Sequence, residues 1–119
     1  MSIFEGSADV RAKDSGGLTP LHRAAAKGHE ATARTLIVEG KADVNAKDNS
    51  RRTPLHRAAG SGHEATAHTL IVEYKANASA KDGFEQTPLH GTAGSGHEAT
   101  ARTLIVKGKS DASARNNNG

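Results

Sequence analysis

The chain has 119 residues, a formal net charge of +3 at pH 7 and no cysteine, so one domain is expected and both disulfides and thiolate metal sites are excluded. Leu, Ile, Val and Phe account for only 18 residues and alanine for 21, which favours closely approaching helices in a repeated stack over a single large core. Acidic residues are interspersed with basic ones, which argues against a nucleic-acid surface, and no apolar run reaches the roughly 18 residues of a membrane span.

The tetrapeptide Thr-Pro-Leu-His recurs every 34 residues, and its three prolines are the only ones in the chain. Threonine suits the N-cap of a helix, proline suits the first helical position, and leucine follows on the first buried position. In the first copy, Leu21, Ala24 and Ala25 are predicted to face the core. The tetrapeptides predict three helices, each called helix A, near residues 20–27, 54–61 and 88–95.

A second helix, called helix B, is predicted to follow each helix A. Gly28 is the residue type that ends a helix in the left-handed conformation, and His29 and Glu30 open the next helix. The polar stretch after helix B is too poor in apolar residues for a third helix and is predicted to be an extended arm leading to a turn. The predicted B helices lie near residues 30–40, 64–74 and 98–108.

These motifs resemble the ankyrin repeat family. The family's Thr-Pro-Leu-His-x-Ala-Ala stands at 19–25 and 53–59 and weakens at 87–93, and Gly-His follows helix A in every copy. The resemblance implies an all-α repeat solenoid of stacked antiparallel helix pairs with projecting β-hairpin fingers. It predicts a single ankyrin-repeat domain over 1–119, divided into a partial repeat at 1–14, repeat 1 at 15–48, repeat 2 at 49–82, repeat 3 at 83–116, and the start of the next turn at 117–119.

The chain departs from the family pattern at three places. Its period is 34 residues where the family usually has 33, and the extra residue falls either inside helix B near Thr35 or in the loop at Lys41. Gly17 of the first finger turn is replaced by Arg51 and Glu85, and those two fingers are expected to turn differently because residues other than glycine are strained at positive φ. The threonine at position 35 recurs where the family has aliphatic residues; its hydroxyl can bond the i−4 carbonyl, but it packs worse than valine.

The histidine of each tetrapeptide is given a structural role by the resemblance. Its ring is expected to bridge the threonine hydroxyl and the backbone of the adjacent repeat, whereas the histidines at the turn between helices A and B are expected to be exposed or to pack locally. No cluster of ligands suggests a metal, and His63 and His68 have a spacing of five where a zinc-protease helix needs four. The predicted structural residues are Thr19, His22, Thr53, His56, Thr87 and His90.

The copies differ mainly at the finger turns and on helix A, which in ankyrin-like units line the concave face that usually binds a protein. Phe84 is predicted to project from a finger tip, Leu18 to behave as a surface residue of the first finger, and Arg51, Arg52 and Arg57 to form a basic strip for an acidic partner segment. Ordinary divergence of solvated loops is the alternative explanation. The predicted partner-binding residues are Leu18, Arg23, Lys27, Ser50, Arg51, Arg52, Arg57, Phe84 and Gln86.

The first functional hypothesis is a non-enzymatic module for protein–protein interaction, with a cytoplasmic location, no cofactor and no metal. No nucleophile–base pair or carboxylate pair is placed for catalysis. The alternatives are an engineered or model repeat array with no evolved ligand, suggested by the closeness of the copies, and a targeting segment of a larger enzyme. Because the outer helix pairs each lack one neighbour in the given sequence, either head-to-tail self-association through the two ends or fraying of the third repeat is also expected.

Overall fold

The computed structural model describes residues 8–109, and this part of the chain forms six α-helices. All six begin at the predicted residue, and five end one or two residues before the predicted end. The all-α class is confirmed for the described residues, which contain no strand. In chain order the helices are α1 (Pro20–Ala26), α2 (Glu30–Val38), α3 (Pro54–Gly60), α4 (Glu64–Val72), α5 (Pro88–Ser95) and α6 (Glu98–Val106).

Each helix A begins because its threonine and histidine cap each other. The Thr19 hydroxyl accepts a hydrogen bond from the His22 backbone N–H, and the His22 ring accepts one from the Thr19 backbone N–H. The same capping box opens α3 and α5, and proline again occupies the first turn. The three glycines that follow these helices have φ between 71° and 76°. Each helix A is therefore followed by a glycine in the left-handed conformation, as predicted.

Helix B ends differently, at a lysine in the left-handed conformation. Beyond α2, the Ala42 N–H donates to the Leu36 carbonyl oxygen at 3.0 Å, and the chain reverses at Lys41 with a φ of 60°. Lys75 has the same φ, and Lys109 has a φ of 50°. In all three repeats, therefore, a lysine adopts a conformation that glycine would adopt with less strain.

The arms contain tight turns, at residues 14–18, 48–52 and 82–86, which we call the arm turns. Since the described residues include no strand, the predicted β-hairpin geometry of the fingers is not confirmed. Gly17, Arg51 and Glu85 have φ values of 79°, 62° and 61°, so the three arm turns share one conformation. The expectation that the second and third would turn differently is wrong, because the same set of hydrogen bonds to an aspartate holds every turn.

The helices pack in two layers. The A helices form one row, with α3 between α1 and α5, and the B helices form the other, with α4 between α2 and α6. The predicted core positions Leu21, Ala24 and Ala25 are all buried, as is Leu55 in the next repeat. Alanine supplies much of the remaining core, which agrees with closely approaching helices.

Two polar contacts join the B helices of repeats 1 and 2. Arg34 donates two hydrogen bonds to the Glu73 carboxylate, at 2.5 and 2.6 Å. The Thr69 hydroxyl donates to Glu30 Oε2 at 2.6 Å. Threonine at this position therefore makes a hydrogen bond to the preceding repeat that an aliphatic residue could not make.

The junction between repeats 2 and 3 keeps the threonine contact but not the charged one. The Thr103 hydroxyl donates to Glu64 Oε2 at 2.9 Å. His68 and Lys107 occupy the positions of the arginine and glutamate that pair at the first junction. Thr35 instead donates to a carbonyl oxygen of its own helix, at 3.2 Å, as predicted for an i−4 contact.

Two of the histidines between helices A and B, His63 and His97, contact the preceding repeat, so the expectation that these histidines are exposed or pack locally is wrong for those two. His29 is exposed, as expected. His63 Nε2 lies 3.0 Å from the Ala26 carbonyl oxygen. Its ring covers Gly28 so closely that a Cβ added there would lie 2.6 Å from His63 Nδ1, and His97 covers Gly62 in the same way. Each of these two positions thus requires glycine for two reasons: its backbone has a positive φ, and the histidine ring leaves no room for a Cβ.

Candidate functional site

One aspartate holds each arm turn. Asp48 Oδ1 accepts hydrogen bonds from the backbone N–H groups of Ser50 and Arg52 at 2.8 and 3.0 Å, and Asp14 and Asp82 do the same in the other turns. Burial alone would raise the pKa of the Asp48 and Asp82 carboxyls, but the backbone and arginine donors outweigh it, and each pKa lies below the ordinary 3.8. The turns that carry the variable residues are therefore built on ionised carboxylates.

The predicted site residues did not include these aspartates, although the sequence carries a signal for them. Asp14, Asp48 and Asp82 recur with the same 34-residue period as the tetrapeptide. Aspartate commonly forms turns by accepting a hydrogen bond from the backbone N–H group two residues ahead. Recurrence at a fixed distance before each threonine would have identified them as turn residues.

The histidine rings of the first two capping boxes, His22 and His56, each connect two repeats. The Thr53 backbone N–H can only donate, so His56 Nδ1 accepts that bond, and Nε2 donates its proton to the Gln86 carbonyl oxygen at 2.9 Å. His22 makes the equivalent bond to the Arg52 carbonyl oxygen at 2.8 Å. Burial lowers the pKa of both His22 and His56 below the ordinary 6.5. These neutral rings position the residues that open the next helix A.

The predicted basic strip alternates with acidic residues. Arg57 is ion-paired with Asp48, and Arg52 Nε lies 3.4 Å from Asp82 Oδ2. Both carboxylates are buried, whereas the two arginine side chains are about a third exposed. The aspartates therefore neutralise much of the arginine charge and fix the guanidinium groups in place.

The same pairing occurs in repeat 1, where Arg23 contacts Asp14. Within residues 8–109, the ion pairs include neither Arg51 nor Lys27, both of which are exposed. Repeat 3 has Gly91 in place of the paired arginine. Among the predicted partner-binding residues, Arg51 and Lys27 are therefore the cations whose charge no ion pair neutralises.

A cleft of about 240 Å³ lies between α3, α5 and the second and third arm turns. It brings together three predicted partner-binding residues, Arg52, Arg57 and Gln86. Gly60 and Gly91 also line it, so the facing helices present no side chain at those points. The result is an open recess with polar walls between two A helices.

A second cleft, of about 260 Å³, lies between α1 and α3. Its lining contains Leu18, Arg23, Lys27 and Arg57 from the predicted set. Arg57 lines both clefts, which therefore adjoin each other. Leu18 is half-buried here, so the expectation that it behaves as a surface residue is wrong.

The remaining predicted residues, Ser50, Arg51 and Phe84, lie at the arm turns and line neither cleft. The Gly83 N–H donates to the Ser50 carbonyl oxygen at 2.9 Å, which links the second arm turn to the third. Phe84 is 66% exposed, as predicted for an aromatic residue at a tip. The arm turns thus form a continuous edge beside the clefts.

Residues 8–109 bring together no three metal-ligating side chains. Both ring nitrogens of His22 and His56 are used in hydrogen bonds, which explains why recurrence of histidine does not create a ligand set. None of the helices in this range has the length and hydropathy needed to cross a membrane.

Comparison with known protein families finds the family described as ankyrin repeats (3 copies) over residues 2–82. This range covers more than half of the chain and contains α1 to α4 with their arms. Helices α5 and α6 lie beyond this range. Helix α5 nevertheless begins with the same capping box as α1 and α3, and α6 has the same sequence as α2. A comparison with curated proteins found no match. The capping boxes, the paired helix layers and the family match together show that the chain belongs to the ankyrin repeat family.

Proposed function

We propose that this chain is a non-enzymatic module that binds a protein partner on the concave face formed by the arm turns and the row of A helices. Ankyrin repeats are generally protein-interaction modules. The observation that carries the proposal is the pair of adjoining clefts, which contain six of the nine predicted partner-binding residues and share Arg57. A cytoplasmic location remains a prediction.

On this proposal, residues 15–48, 49–82 and 83–116 are successive units of a solenoid whose arms project as fingers. Contacts spaced by one period support it. Lys13 Nζ donates to the Lys47 carbonyl oxygen, and Lys47 Nζ donates to the Lys81 carbonyl oxygen, each across 34 residues. Such contacts place equivalent points of neighbouring arms beside each other, as a regular stack requires.

The partner segment that fits this face combines a carboxylate with an apolar side chain. Arg51 and Lys27 are exposed and offer positive charge at the arm turn and at the end of helix A. Phe84 offers the apolar contact, and aromatic residues of this kind are frequent binding hot spots. The arginines held by aspartates are pre-oriented, so they lose less entropy when they bind.

The test is quantitative capture of partners from a lysate with immobilised chain, followed by affinity measurement for any saturable partner. Phe84→Ala and Arg51→Ala should each weaken that affinity by about tenfold or more, as hot-spot truncations do. Val38→Ala is the matched control, because Val38 is exposed on helix B and lines neither cleft. A partner that tolerates both concave-face substitutions but is lost on Val38→Ala would refute the proposed face.

A second candidate is a repeat array with no evolved ligand. The helix B segments 30–38, 64–72 and 98–106 differ at His68 alone, a closeness that favours this interpretation. It predicts that the capture experiment yields no saturable partner. The targeting segment of a larger enzyme remains a prediction that sequencing the parent gene would test.

A further inference from the structure

The two clefts on the proposed binding face are equivalent sites in successive repeats. Moving every residue that lines the cleft between α1 and α3 forward by one 34-residue period gives a residue that lines the cleft between α3 and α5. We call these two sites the α1–α3 cleft and the α3–α5 cleft. Because their lining positions correspond, the side chains that the repeats carry decide how the two clefts differ.

The α3–α5 cleft has no arginine at a position where the α1–α3 cleft has one. Arg57 lines the α1–α3 cleft from α3 and is ion-paired with Asp48. Its equivalent in the α3–α5 cleft is Gly91, which faces Gly60, where the first repeat has Ala26. The α3–α5 cleft is therefore open at the place that an arginine side chain fills one repeat earlier.

The aspartate that such an arginine would pair with is retained. Asp82 lines the α3–α5 cleft, and its side chain is 2% exposed. In repeats 1 and 2, the equivalent aspartates pair with an arginine nine residues ahead, on helix A of the same repeat. Within residues 8–109, Asp82 Oδ2 instead accepts a hydrogen bond from Arg52 Nε at 3.4 Å, longer than the usual range of about 2.7–3.2 Å. A buried carboxylate oxygen thus has one long contact in place of the arginine pair that its equivalents make.

The charges of the two clefts also differ by one cation. In each cleft, two arginines are ion-paired with arm-turn aspartates. The α1–α3 cleft is lined by a third cation, Lys27, whereas the equivalent residue in the α3–α5 cleft is Ser61. One additional cation would therefore give the α3–α5 cleft the charge balance that the chain maintains in the preceding repeat.

We propose that the α3–α5 cleft receives an arginine side chain of the protein partner, whose guanidinium pairs with Asp82 as the Arg57 guanidinium pairs with Asp48. This inference rests on the proposed binding face, and it adds a basic anchor to the carboxylate that Arg51 and Lys27 attract. The partner supplies from outside the side chain that repeats 1 and 2 supply from their own helix A.

A carboxylate of the partner is the competing occupant. Arg52 and Arg57 line the cleft, and Arg57 Nε is buried without a hydrogen-bond partner among the described residues. Both guanidinium groups, however, already lie against buried aspartates, and an incoming carboxylate would meet the like charge of Asp82. A neutral carbonyl oxygen is enough to accept the hydrogen bond of Arg57 Nε. The charges therefore favour an arginine.

The experiment titrates N-acetyl-arginine amide into the isotope-labelled full chain and follows the backbone chemical shifts. Saturable shifts should appear at the third arm turn and at Gly60 and Gly91, and the first arm turn should be unaffected. The citrulline analogue has a similar shape without the charge, so it should bind at least about tenfold more weakly, and so should the glutamate analogue. Absence of saturable shifts with the arginine compound, or tighter binding of the glutamate compound, would overturn the proposal.

Arg52→Leu distinguishes the two occupants by the direction of its effect. Leucine is the residue that the first repeat has at this position, as Leu18. The substitution removes the side chain that competes for Asp82, so it should tighten the binding of the arginine compound. A carboxylate would instead lose a cation and bind more weakly. A fall in affinity for the arginine compound would overturn the pairing with Asp82.

Gly91→Arg places the missing side chain in the cleft from within the chain. A Cβ at Gly91 would lie 3.6 Å from Gly60 Cα, an ordinary contact, so α5 can accept the substitution. The arginine compound should then bind at least about tenfold more weakly, because its place is filled. Gly91→Ala is the matched control, since it improves helix propensity without adding a guanidinium, and it should melt at a lower temperature than Gly91→Arg. Wild-type affinity in Gly91→Arg would overturn the proposal.

The capture experiment keeps this inference separable from the proposed function. A partner that is lost on Phe84→Ala and Arg51→Ala, but that Gly91→Arg binds with unchanged affinity, would overturn the arginine anchor and leave the binding face standing. An arginine compound that binds as expected, to a chain that captures no saturable partner, would support the anchor site and refute the proposed function.

Discussion

Five residues other than glycine adopt a positive φ in the described part of the chain. Arg51 and Glu85 adopt positive φ in the arm turns, and the lysines at 41, 75 and 109 adopt it after helix B. A residue with a Cβ is less stable in this conformation by roughly 1–2 kcal/mol. At Arg51 and Glu85, hydrogen bonds from the turn's backbone N–H groups to an aspartate offset part of that strain. Lys41 and Lys75 instead donate their backbone N–H groups to carbonyl oxygens of the preceding helix B.

Replacing Lys75 with glycine should therefore stabilise the chain. Lys75 has a φ of 60° and is exposed, so the substitution removes backbone strain without removing a buried contact. The gain should be about 1 kcal/mol in the free energy of unfolding, measured by urea denaturation. Lys81→Gly is the matched control, because Lys81 has no positive φ and glycine there only adds flexibility to the unfolded chain. Equal effects at the two positions would contradict the assignment of strain to Lys75.

The capping histidines should make stability depend on pH. Burial lowers the folded-state pKa of His22 and His56 below the ordinary 6.5, so the unfolded chain binds more protons in the range just below that value. Their contribution to stability is complete above pH 6.5 and is lost as the pH falls below it. Asp48 and Asp82 have lowered pKa values, so their contribution is lost only below pH 3.8.

The free energy of unfolding should consequently decrease as the pH falls from about 6.5 to about 5.5. A double variant, His22→Gln with His56→Gln, should be less stable at the upper end of that range and should show a smaller decrease over it. Urea denaturation at several pH values measures both quantities. An unchanged slope in the double variant would mean that other groups cause the pH dependence.

At the scale of helices, one position in helix B shows how context changes the contacts of a side chain. Thr69 and Thr103 donate to a glutamate of the preceding helix B, whereas Thr35 donates to a carbonyl oxygen of its own helix. The helix B residues before each threonine are identical except at His68. The neighbouring repeat, and not the helix itself, determines the hydrogen-bond partner.

Thr69→Val and Thr35→Val form a matched pair that tests this difference. Thr69 is 3% exposed and its hydrogen bond joins two helices, so the valine variant should lose about 1 kcal/mol of stability. Thr35 is exposed and bonded only to its own helix, so Thr35→Val should change stability by less than about 0.5 kcal/mol. Thermal or urea unfolding compares the two. A larger loss at Thr35 would contradict the inter-helix role of Thr69.

The leucines test the layered packing in a similar way. Leu55 on α3 is fully buried between neighbouring helices, so Leu55→Ala should cost about 2–5 kcal/mol of stability. Leu18 is half-buried beside the cleft between α1 and α3, so Leu18→Ala should cost about 1 kcal/mol or less. Equal losses in urea denaturation would show that the two environments are not as different as their exposures indicate.

At the scale of the whole molecule, the two internal junctions are unequal. The first has a bidentate Arg34–Glu73 pair in addition to the threonine contact, whereas the second has His68 and Lys107 at those positions. Helix α5 also carries two glycines, Gly91 and Gly94, which lower its intrinsic stability. In a repeat array these differences act locally, so repeat 3 is expected to open more readily than repeat 2.

Hydrogen exchange should therefore be faster in α6 than in α4. Combining His68→Arg with Lys107→Glu recreates the charged pair of the first junction and should slow exchange in α6 by a factor corresponding to about 0.5–1 kcal/mol. Each single substitution serves as the control, because neither completes the pair. Equal protection of α4 and α6 in the wild-type chain would show that the junctions are equally strong.

The sequence by itself determined the six helices and their starts, because these depend on local interactions. A Thr-Pro-Leu-His capping box needs only four consecutive residues, and a glycine after the helix needs only its own φ. The 34-residue period then placed equivalent residues at equivalent points. The same local argument failed where a second contact was required, as in the half-buried Leu18.

Only the tertiary structure decided which side chains meet across repeats. The pairs Arg52 with Asp82, His63 with Ala26 and Thr69 with Glu30 are separated by 30, 37 and 39 residues. Their geometry depends on how one helix pair is rotated and displaced on the next, which no local pattern specifies. Stacking energy, summed over many alanine and leucine contacts, sets that placement, and the polar contacts form where it brings donors and acceptors together.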